Sequence, residues 1–239
     1  MRAAILIAVL AAGCIGDIDE QWQLDHDGII AVRATPPRIT SGKTSTLDGF
    51  LRHKGSPTTV EEPEAAEVIS PTSLAGALAN VGGHWTVTAP SEDQIDAART
   101  AMMLDAGAPV PLTIGVAYAN GTLVATKIVW LGVDSDNPTL QDVVFDGAAA
   151  PPEGTALTVD SLVDWRVSVN APDTDYDTNW LTSVGTMHDF DLPTAYLRVE
   201  KDDPLGPGEF GLVVRDSVGG VVWGIWPMTA NPAPAGSGD

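Results

Sequence analysis

The chain has 239 residues, with 32 acidic against 12 basic side chains and a formal net charge of −20. This charge argues against binding to nucleic acids or anionic membrane surfaces, because both require clustered lysine and arginine. Hydrophobic residues make up 44% of the chain, which is enough for a packed core and excludes a disordered protein. The length is typical of one or two domains.

The chain begins with the features of an export signal. Arg2 precedes an almost wholly apolar run over residues 3–12, which is too short to span a bilayer. The segment Leu10-Ala11-Ala12-Gly13-Cys14 resembles the lipobox of bacterial lipoproteins. Cys14 is the only cysteine, so it cannot form a disulfide within the chain. We predict a signal peptide over residues 1–13 and fatty acylation of Cys14; the alternatives are an ordinary cleaved signal and a buried thiol.

Residues 14–28 are acidic and lack periodicity, so we predict a tether between the lipid and the first domain. Beyond Cys14 no apolar run reaches the roughly 20 residues of a transmembrane helix. The lipid is therefore the only membrane attachment that the sequence predicts, and several acyl chains would hold more firmly than one.

Strand signals dominate residues 29–133, which we predict as the first domain. Residues 29–34 are rich in strand-forming side chains, residues 44–51 alternate, and residues 112–118 alternate strictly between apolar and small or polar side chains. The pair Asn120-Gly121 favours a two-residue hairpin, because both central residues must take positive φ. Residues 122–131 then form the returning strand. Residues 52–83 show few strand signals.

One helix is predicted near residues 92–105. Ser91 and Gln94 form a capping box, apolar residues follow at helical spacing, and Gly107 ends the segment. The helix is therefore an insertion in a domain otherwise made of strands.

Residues 134–139 are polar and contain a proline, so we predict a linker there. Residues 140–229 form the second domain, with strands predicted at 140–145, 164–171, 179–184, 194–200, 209–216 and 221–227. Strands at this spacing, with turn residues between them, favour an immunoglobulin-like sandwich, and Trp180 suits its core. Residues 230–239 are predicted to be a disordered tail. The fold class is all-β: two tandem immunoglobulin-like β-sandwiches, the first with one inserted helix.

Several segments resemble surface lipoproteins of myxobacteria and their relatives. These are Ile29–Pro37 with Gly42 and Leu47, Ala125–Lys127, Asn137-Pro138 with Leu140, Asp146-Gly147, and Val213–Asp216 with Gly219-Gly220 and Trp223. The resemblance covers most of residues 22–228 and implies an envelope lipoprotein with immunoglobulin-like domains. It carries over no catalytic or binding residue.

The sequence contains no motif of a serine hydrolase, metalloprotease, phosphate loop or dinucleotide site. The four histidines are scattered, at His26, His53, His84 and His188. We therefore predict no enzymatic activity. A hydrolase with an unrecognised carboxylate site is the weaker alternative.

Two groups of acidic residues raise a calcium hypothesis. They are Asp134, Asp136 and Asn137 in the linker, and Asp173, Asp175 and Asp177 after a strand of the second domain. Calcium binds six to eight oxygens on adaptable loops, and a junction site of this kind is similar to that of cadherins. The alternative is that these short acids start turns and keep loops solvated. The sequence implies no other cofactor.

Seven tryptophans raise a carbohydrate hypothesis, since aromatic rings stack on sugars. Trp165 and Trp180 suit the core, whereas Trp22 and Trp85 are freer. Trp223 and Trp226 lie on opposite faces of the last strand, so one of them points outward or caps the end. A row of exposed coplanar rings would support this hypothesis.

The leading hypothesis is a non-catalytic lipoprotein of the outer membrane or cell surface. It would serve in adhesion, as a spacer, or as a partner-binding subunit of a surface assembly. Its partners would be the membrane, through the lipid, and other envelope proteins or polysaccharide. A partner-binding subunit predicts a large apolar or edge-strand patch, and a free-standing spacer predicts none.

Overall fold

A computed structural model describes residues 20–170 and 176–234 of the chain. The predicted signal peptide, Cys14, Asp173 and Asp175 lie outside the described residues, as does the end of the predicted tail. None of the helices in the described ranges combines the length and apolar character needed to cross a membrane.

The structure confirms an all-β fold of two sandwiches, the first with one inserted helix. The strands of the first domain are β1 (Gly28–Thr35), β2 (Arg38–Ile39), β3 (Thr44–His53), β4 (Ser56–Glu61), β5 (Ala65–Ser70), β6 (Leu78–Val81), β7 (His84–Thr88), β8 (Val110–Tyr118) and β9 (Leu123–Leu131). Short 3-10 turns lie at Thr72–Ala77 and Ala119–Gly121. One sheet has the order β1-β3-β7-β6, with β4 also paired to β3, and the other has the order β2-β9-β8-β5.

The second domain contains β10 (Val144–Phe145), β11 (Ala148–Ala149), β12 (Leu157–Asp160), β13 (Trp165–Ser168), β14 (Asp177–Thr182), β15 (Thr186–His188), β16 (Thr194–Arg198), β17 (Gly206–Arg215) and β18 (Val221–Asn231). Its sheets have the orders β12-β18-β17-β14 and β11-β10-β13-β16-β15. The predicted core position of Trp180 is confirmed, because the ring is fully buried and stacks on Phe210 at 5.7 Å between centroids.

Alternating burial along β8 shows how the strands build the core of the first domain. Every second residue of β8 is buried, as a strand with one face on a core requires. Helix α1 (Glu92–Ala101) has the predicted capping box and buries Ile95 and Ala98. It ends before residue 105, because Met103 adopts φ 55° and stops the helical hydrogen bonding.

The β8–β9 hairpin is confirmed, but its turn is longer than predicted. Tyr118 pairs with Leu123, so four residues form the loop, and Ala119, Asn120 and Gly121 all have positive φ. The hydroxyl of Thr122 donates to the Ala119 carbonyl at 2.7 Å and closes this turn. The favoured Asn-Gly pair is therefore used within a wider loop.

Strands β4, β5 and β6 occupy the region with few strand signals. Most of their residues are exposed, so no apolar alternation marks them in the sequence. Strand β18 extends to Asn231, which corrects the predicted start of the tail, because Ala230 and Asn231 pair with β12.

The tether prediction is wrong for residues 20–27. Trp22 and Leu24 are buried against the domains. The amide of Thr182 donates to the Trp22 carbonyl at 2.9 Å, and the amide of Leu24 donates to the Thr182 carbonyl at 3.0 Å. Residues 20–27 therefore extend the second domain instead of spacing the first domain from the lipid.

Candidate functional site

The two sandwiches pack side by side through a small apolar core between them. It contains Leu24, Ala31, Phe50, Leu181, Val213, Val221 and Trp223. Trp223 stacks on Phe50 with 5.3 Å between ring centroids and 15° between planes. The guanidinium of Arg33 lies 3.9 Å from the Trp223 ring centroid and forms an ion pair with Asp48. A cation over an aromatic face stabilises this contact further.

Polar contacts fix the same arrangement. Asn137, from the predicted linker, donates to the Ala34 carbonyl and accepts from the Val221 amide, both at 2.9 Å. Arg215 donates to the Ile30 carbonyl at 2.7 Å. Asn137 bonds the linker to both domains, and Arg215 joins the domains directly, so the linker holds the domains together instead of separating them.

A cleft of about 780 Å³ opens between the domains. Its walls are β1 at residues 29–32, β9 at residues 122–128, and the turn between β17 and β18. We call it the interdomain cleft. It places groups from three elements around one opening.

Lys127 is the unusual residue of the interdomain cleft. Its side chain is 7% exposed and lies on the inward face of β9. The ammonium donates to the Gly219 carbonyl of the second domain at 2.7 Å. Burial lowers the Lys127 pKa to about 8; Asp216 and Asp48 oppose this effect, and Arg215 adds to it. Burial disfavours the charged form of an amine.

Arg215 is the second cation of the interdomain cleft. Burial lowers its pKa, although Asp177 partly opposes this effect. Its guanidinium donates to the Asn179 side chain at 2.5 Å as well as to Ile30. Asp216 accepts from the amides of Val218 and Gly220, so its carboxylate shapes the turn beside Lys127.

The edge of β9 is open along the interdomain cleft. β2 pairs with β9 only at residues 130–131, where the Trp130 amide donates to Pro37. Because backbone groups alternate along a regular strand, Val124 and Thr126 direct their N–H and C=O groups to the same side as Trp130. These groups have no hydrogen-bond partner within the described part of the chain.

The outer face of the β5–β8–β9 sheet adjoins this edge and combines apolar residues with Glu67 and Thr126. Ile69 is 48% exposed and Val124 is 72% exposed. Between them, Gly115 and Ala117 line a shallow groove of about 720 Å³. We call this surface the bare face, because no described segment covers it. Apolar patches of this kind in soluble domains mark interaction sites.

Among the described residues, the structure does not gather the proposed calcium ligands into one site. Asp134 accepts from Lys43 at 2.6 Å and from Thr40, and the Lys43 hydrogen bond lowers its pKa. Asp136 is exposed in the linker, and Asp177 lies at the start of β14 beside the interdomain cleft. In residues 20–170 and 176–234, no three His, Cys, Asp or Glu side chains converge. The calcium hypothesis stays a prediction, because Asp173 and Asp175 lie outside those ranges.

The tryptophans do not form a sugar-binding row. All seven lie in the described ranges and none is exposed. Trp223 does point outward from its sandwich, as predicted, but the first domain covers it. The carbohydrate hypothesis, as based on exposed rings, is therefore wrong.

The four histidines have separate local contacts. His53 contacts Glu61 at 3.0 Å, His84 contacts Glu62 at 2.9 Å, and His188 stacks on Tyr196. His26 lies 3.6 Å from Asp25. These contacts tie the histidines to surface loops and strands outside the interdomain cleft.

Sequence reasoning missed Lys127, although a signal was present. Leu123, Ala125, Val129 and Leu131 share the inward face of β9, and Lys127 occupies the middle of that series. A charged residue in an apolar period-two series indicates a special contact. Its partner could not be found this way, because Gly219 is 92 residues away.

No family model matches the chain, and no curated protein matches it. Among solved structures, this chain is similar to the two tandem V-type regions of VCBP3, a v-region-containing chitin binding protein. The two share 10% identity over 84% of this chain and 98% of that one, with a TM-score of 0.31. Protocadherin Gamma B2 extracellular cadherin domains 3-6 share 14% identity over 87% of this chain and 51% of theirs, with a TM-score of 0.26.

A nucleoside hydrolase-related hypothetical protein from Saccharophagus degradans shares 12% identity over 41% of this chain, with a TM-score of 0.29. This chain spans only 26% of its length. Likenesses this distant carry no argument about function, and the fold stands on the strands and sheets themselves.

Proposed function

We propose that this protein is a non-catalytic, lipid-anchored protein of the outer membrane or cell surface that acts as a partner-binding subunit. The open β9 edge, together with the bare face beside it, supports partner binding over a free-standing spacer. A spacer has no use for an uncovered apolar sheet face.

The occupant of this surface is a polypeptide of another envelope protein. The edge offers main-chain donors and acceptors at Val124 and Thr126, and an extended chain is the ligand that satisfies such groups in order. The bare face continues from the same strand and provides apolar contacts for the partner's side chains.

The lipid anchor rests on Cys14 and its leader. Cells expressing the wild-type chain or Cys14→Ser would be grown with an alkyne analogue of palmitate. We expect label on the wild-type chain only, and recovery of that chain in membranes. Equal labelling of both chains, or a freely diffusing wild-type chain with its leader intact, would contradict the anchor.

Partner binding can be tested with a photo-crosslinking amino acid placed at position 124. The matched control carries it at position 60 on β4, where Val60 is 55% exposed on the other sheet. We expect one envelope protein, identified by mass spectrometry, to cross-link from position 124 and not from position 60. The absence of a cross-link, or equal products from both positions, would reject the proposal.

A further inference from the structure

We propose that the interdomain cleft accepts an extended, carboxylate-bearing segment of the partner as an added strand on β9, with the carboxylate beside Lys127. This inference rests on the proposed function and names the chemistry of the partner. The proposed binding requires three features: an open β9 edge, a basic group at one end of that edge, and a boundary that fixes where the bound segment ends.

The edge sets the binding mode. Val124 and Thr126 present unpaired main-chain groups along one wall of the cleft, on the side that β2 leaves free. An added strand pairing with both would span residues 123–127, about 17 Å at 3.4 Å per residue. Strand β1 lies along the facing wall of the cleft, where Arg215 engages the Ile30 carbonyl.

The turn between β17 and β18 limits the segment at one end. Gly219 lies over the Ile128 end of the edge, where a side chain at its position would meet the Trp130 ring. The added strand therefore begins or ends next to Lys127. A carboxylate at that point, on a side chain or at the C-terminus of the segment, meets the ammonium.

The ammonium of Lys127 keeps hydrogen-bond donors for an anion. An ammonium has three donors, and the Gly219 carbonyl takes one of them. The carboxylates nearby are occupied, Asp48 by Arg33 and Asp216 by the turn amides. Arg215 adds positive charge, and Asp177 and Asp216 at the wall are the acids that oppose an incoming carboxylate. The cleft therefore pairs two cations with two acids, within a chain of net charge −20.

A random library of nine-residue peptides, displayed with free C-termini, would be selected against the detergent-solubilised full chain. We expect enrichment of alternating apolar sequences that carry a carboxylate. The selected peptide would then be measured by fluorescence anisotropy in three forms: unchanged, with its acid converted to an amide, and with N-methylated central residues. Each altered form should bind at least tenfold more weakly. Amidating the side chain and the C-terminus separately identifies which carboxylate binds beside Lys127.

Lys127→Met provides the matching change in the protein. It should weaken the selected peptide at least tenfold, whereas Lys43→Met, which removes an exposed lysine outside the cleft, should not. Hydrogen exchange should show new protection at the amides of Val124 and Thr126 when the peptide is bound. Calorimetry at pH 8 in two buffers should show proton uptake, because a carboxylate beside Lys127 favours its charged form.

Three outcomes would overturn the inference: no enrichment, enrichment without an acid, or equal binding to wild type and Lys127→Met. If position 124 still cross-links an identified partner in those cases, the proposed function stands and only the cleft mechanism fails. If position 124 instead cross-links a second copy of this chain and size-exclusion chromatography shows a dimer, a separate partner is contradicted.

Discussion

Each domain has one outward sheet face that carries large apolar residues, and only one of these two faces is covered by the other domain. The outer face of β14–β17–β18 carries Leu181, Val213 and Trp223, and the first domain covers all three. The bare face of β5–β8–β9 carries Ile69 and Val124, and no described residue covers it. Both faces break the usual pattern of polar outer residues in a sandwich. The covered face serves stability, and the uncovered one is therefore the candidate for binding.

The linker shows how the covered face is kept closed. Asp134 contacts Thr40 and Lys43 of the first domain, while Asn137 joins Ala34 to Val221 across the interface. The acidic linker raised the hypothesis of an ion-stiffened junction. Its side chains already hold the two sandwiches side by side, and this arrangement creates the interdomain cleft.

The covered face should give the largest effect when it is disturbed. Trp223→Ala removes the stack on Phe50 and the Arg33 contact, so we expect a loss of about 3–5 kcal/mol in the free energy of unfolding. Urea unfolding followed by tryptophan fluorescence would measure it. Trp223→Phe keeps an aromatic ring, so its free energy of unfolding should fall clearly less than that of Trp223→Ala. A loss below about 1 kcal/mol for Trp223→Ala would show that the two faces are not packed in solution.

Lys127 lies between the covered and the open surfaces, and its replacement should have an intermediate effect. Burial lowers its pKa from 10.5 to about 8, a cost of about 3 kcal/mol when the amine is charged. Lys127→Met removes this cost but loses the Gly219 hydrogen bond, about 1 kcal/mol. We expect the variant to be more stable at pH 7 by about 1–2 kcal/mol.

The sign of the pH dependence follows from the lowered pKa. Between pH 8 and 10.5 the unfolded wild-type chain binds more protons than the folded one, so its stability rises with pH relative to the variant. The advantage of Lys127→Met should therefore shrink across this window, vanish near its middle and reverse toward its upper end. Urea unfolding of both chains at pH 7, 8.5 and 10 would measure this. A difference that does not change with pH would contradict the buried ammonium.

The fold could be predicted because patterns within short sequence segments indicate its strands, its helix and its core. The alternation in β8, the capping box of α1 and the core position of Trp180 are all visible in the sequence and confirmed in the structure. Strands β4 and β5 escaped prediction, since they are mostly exposed and show no buried face. Edge strands of this kind have little hydrophobic periodicity to detect.

The site could not be predicted, because it depends on which surfaces meet. Phe50 and Leu51 are adjacent apolar residues, and both are buried, on opposite faces of β3. That doublet indicates a strand covered on both sides, but it does not say that Trp223 is the cover. Likewise, Lys127 is marked by its apolar neighbours, whereas the cleft around it exists only after the domains have docked.

The bare face should give the smallest change in stability and the clearest change in binding. Val124→Thr keeps the β-branched shape at an exposed position, so we expect the free energy of unfolding to change by no more than about 0.5 kcal/mol. Val60→Thr, on the other sheet, should change the free energy of unfolding in urea by an equally small amount. The two variants should differ only when the full chain is cross-linked from a probe at position 69, where Val124→Thr should reduce the yield of the partner several-fold and Val60→Thr should leave it unchanged. Equal yields would mean that the uncovered face, unlike its counterpart on the second domain, has no partner to cover it.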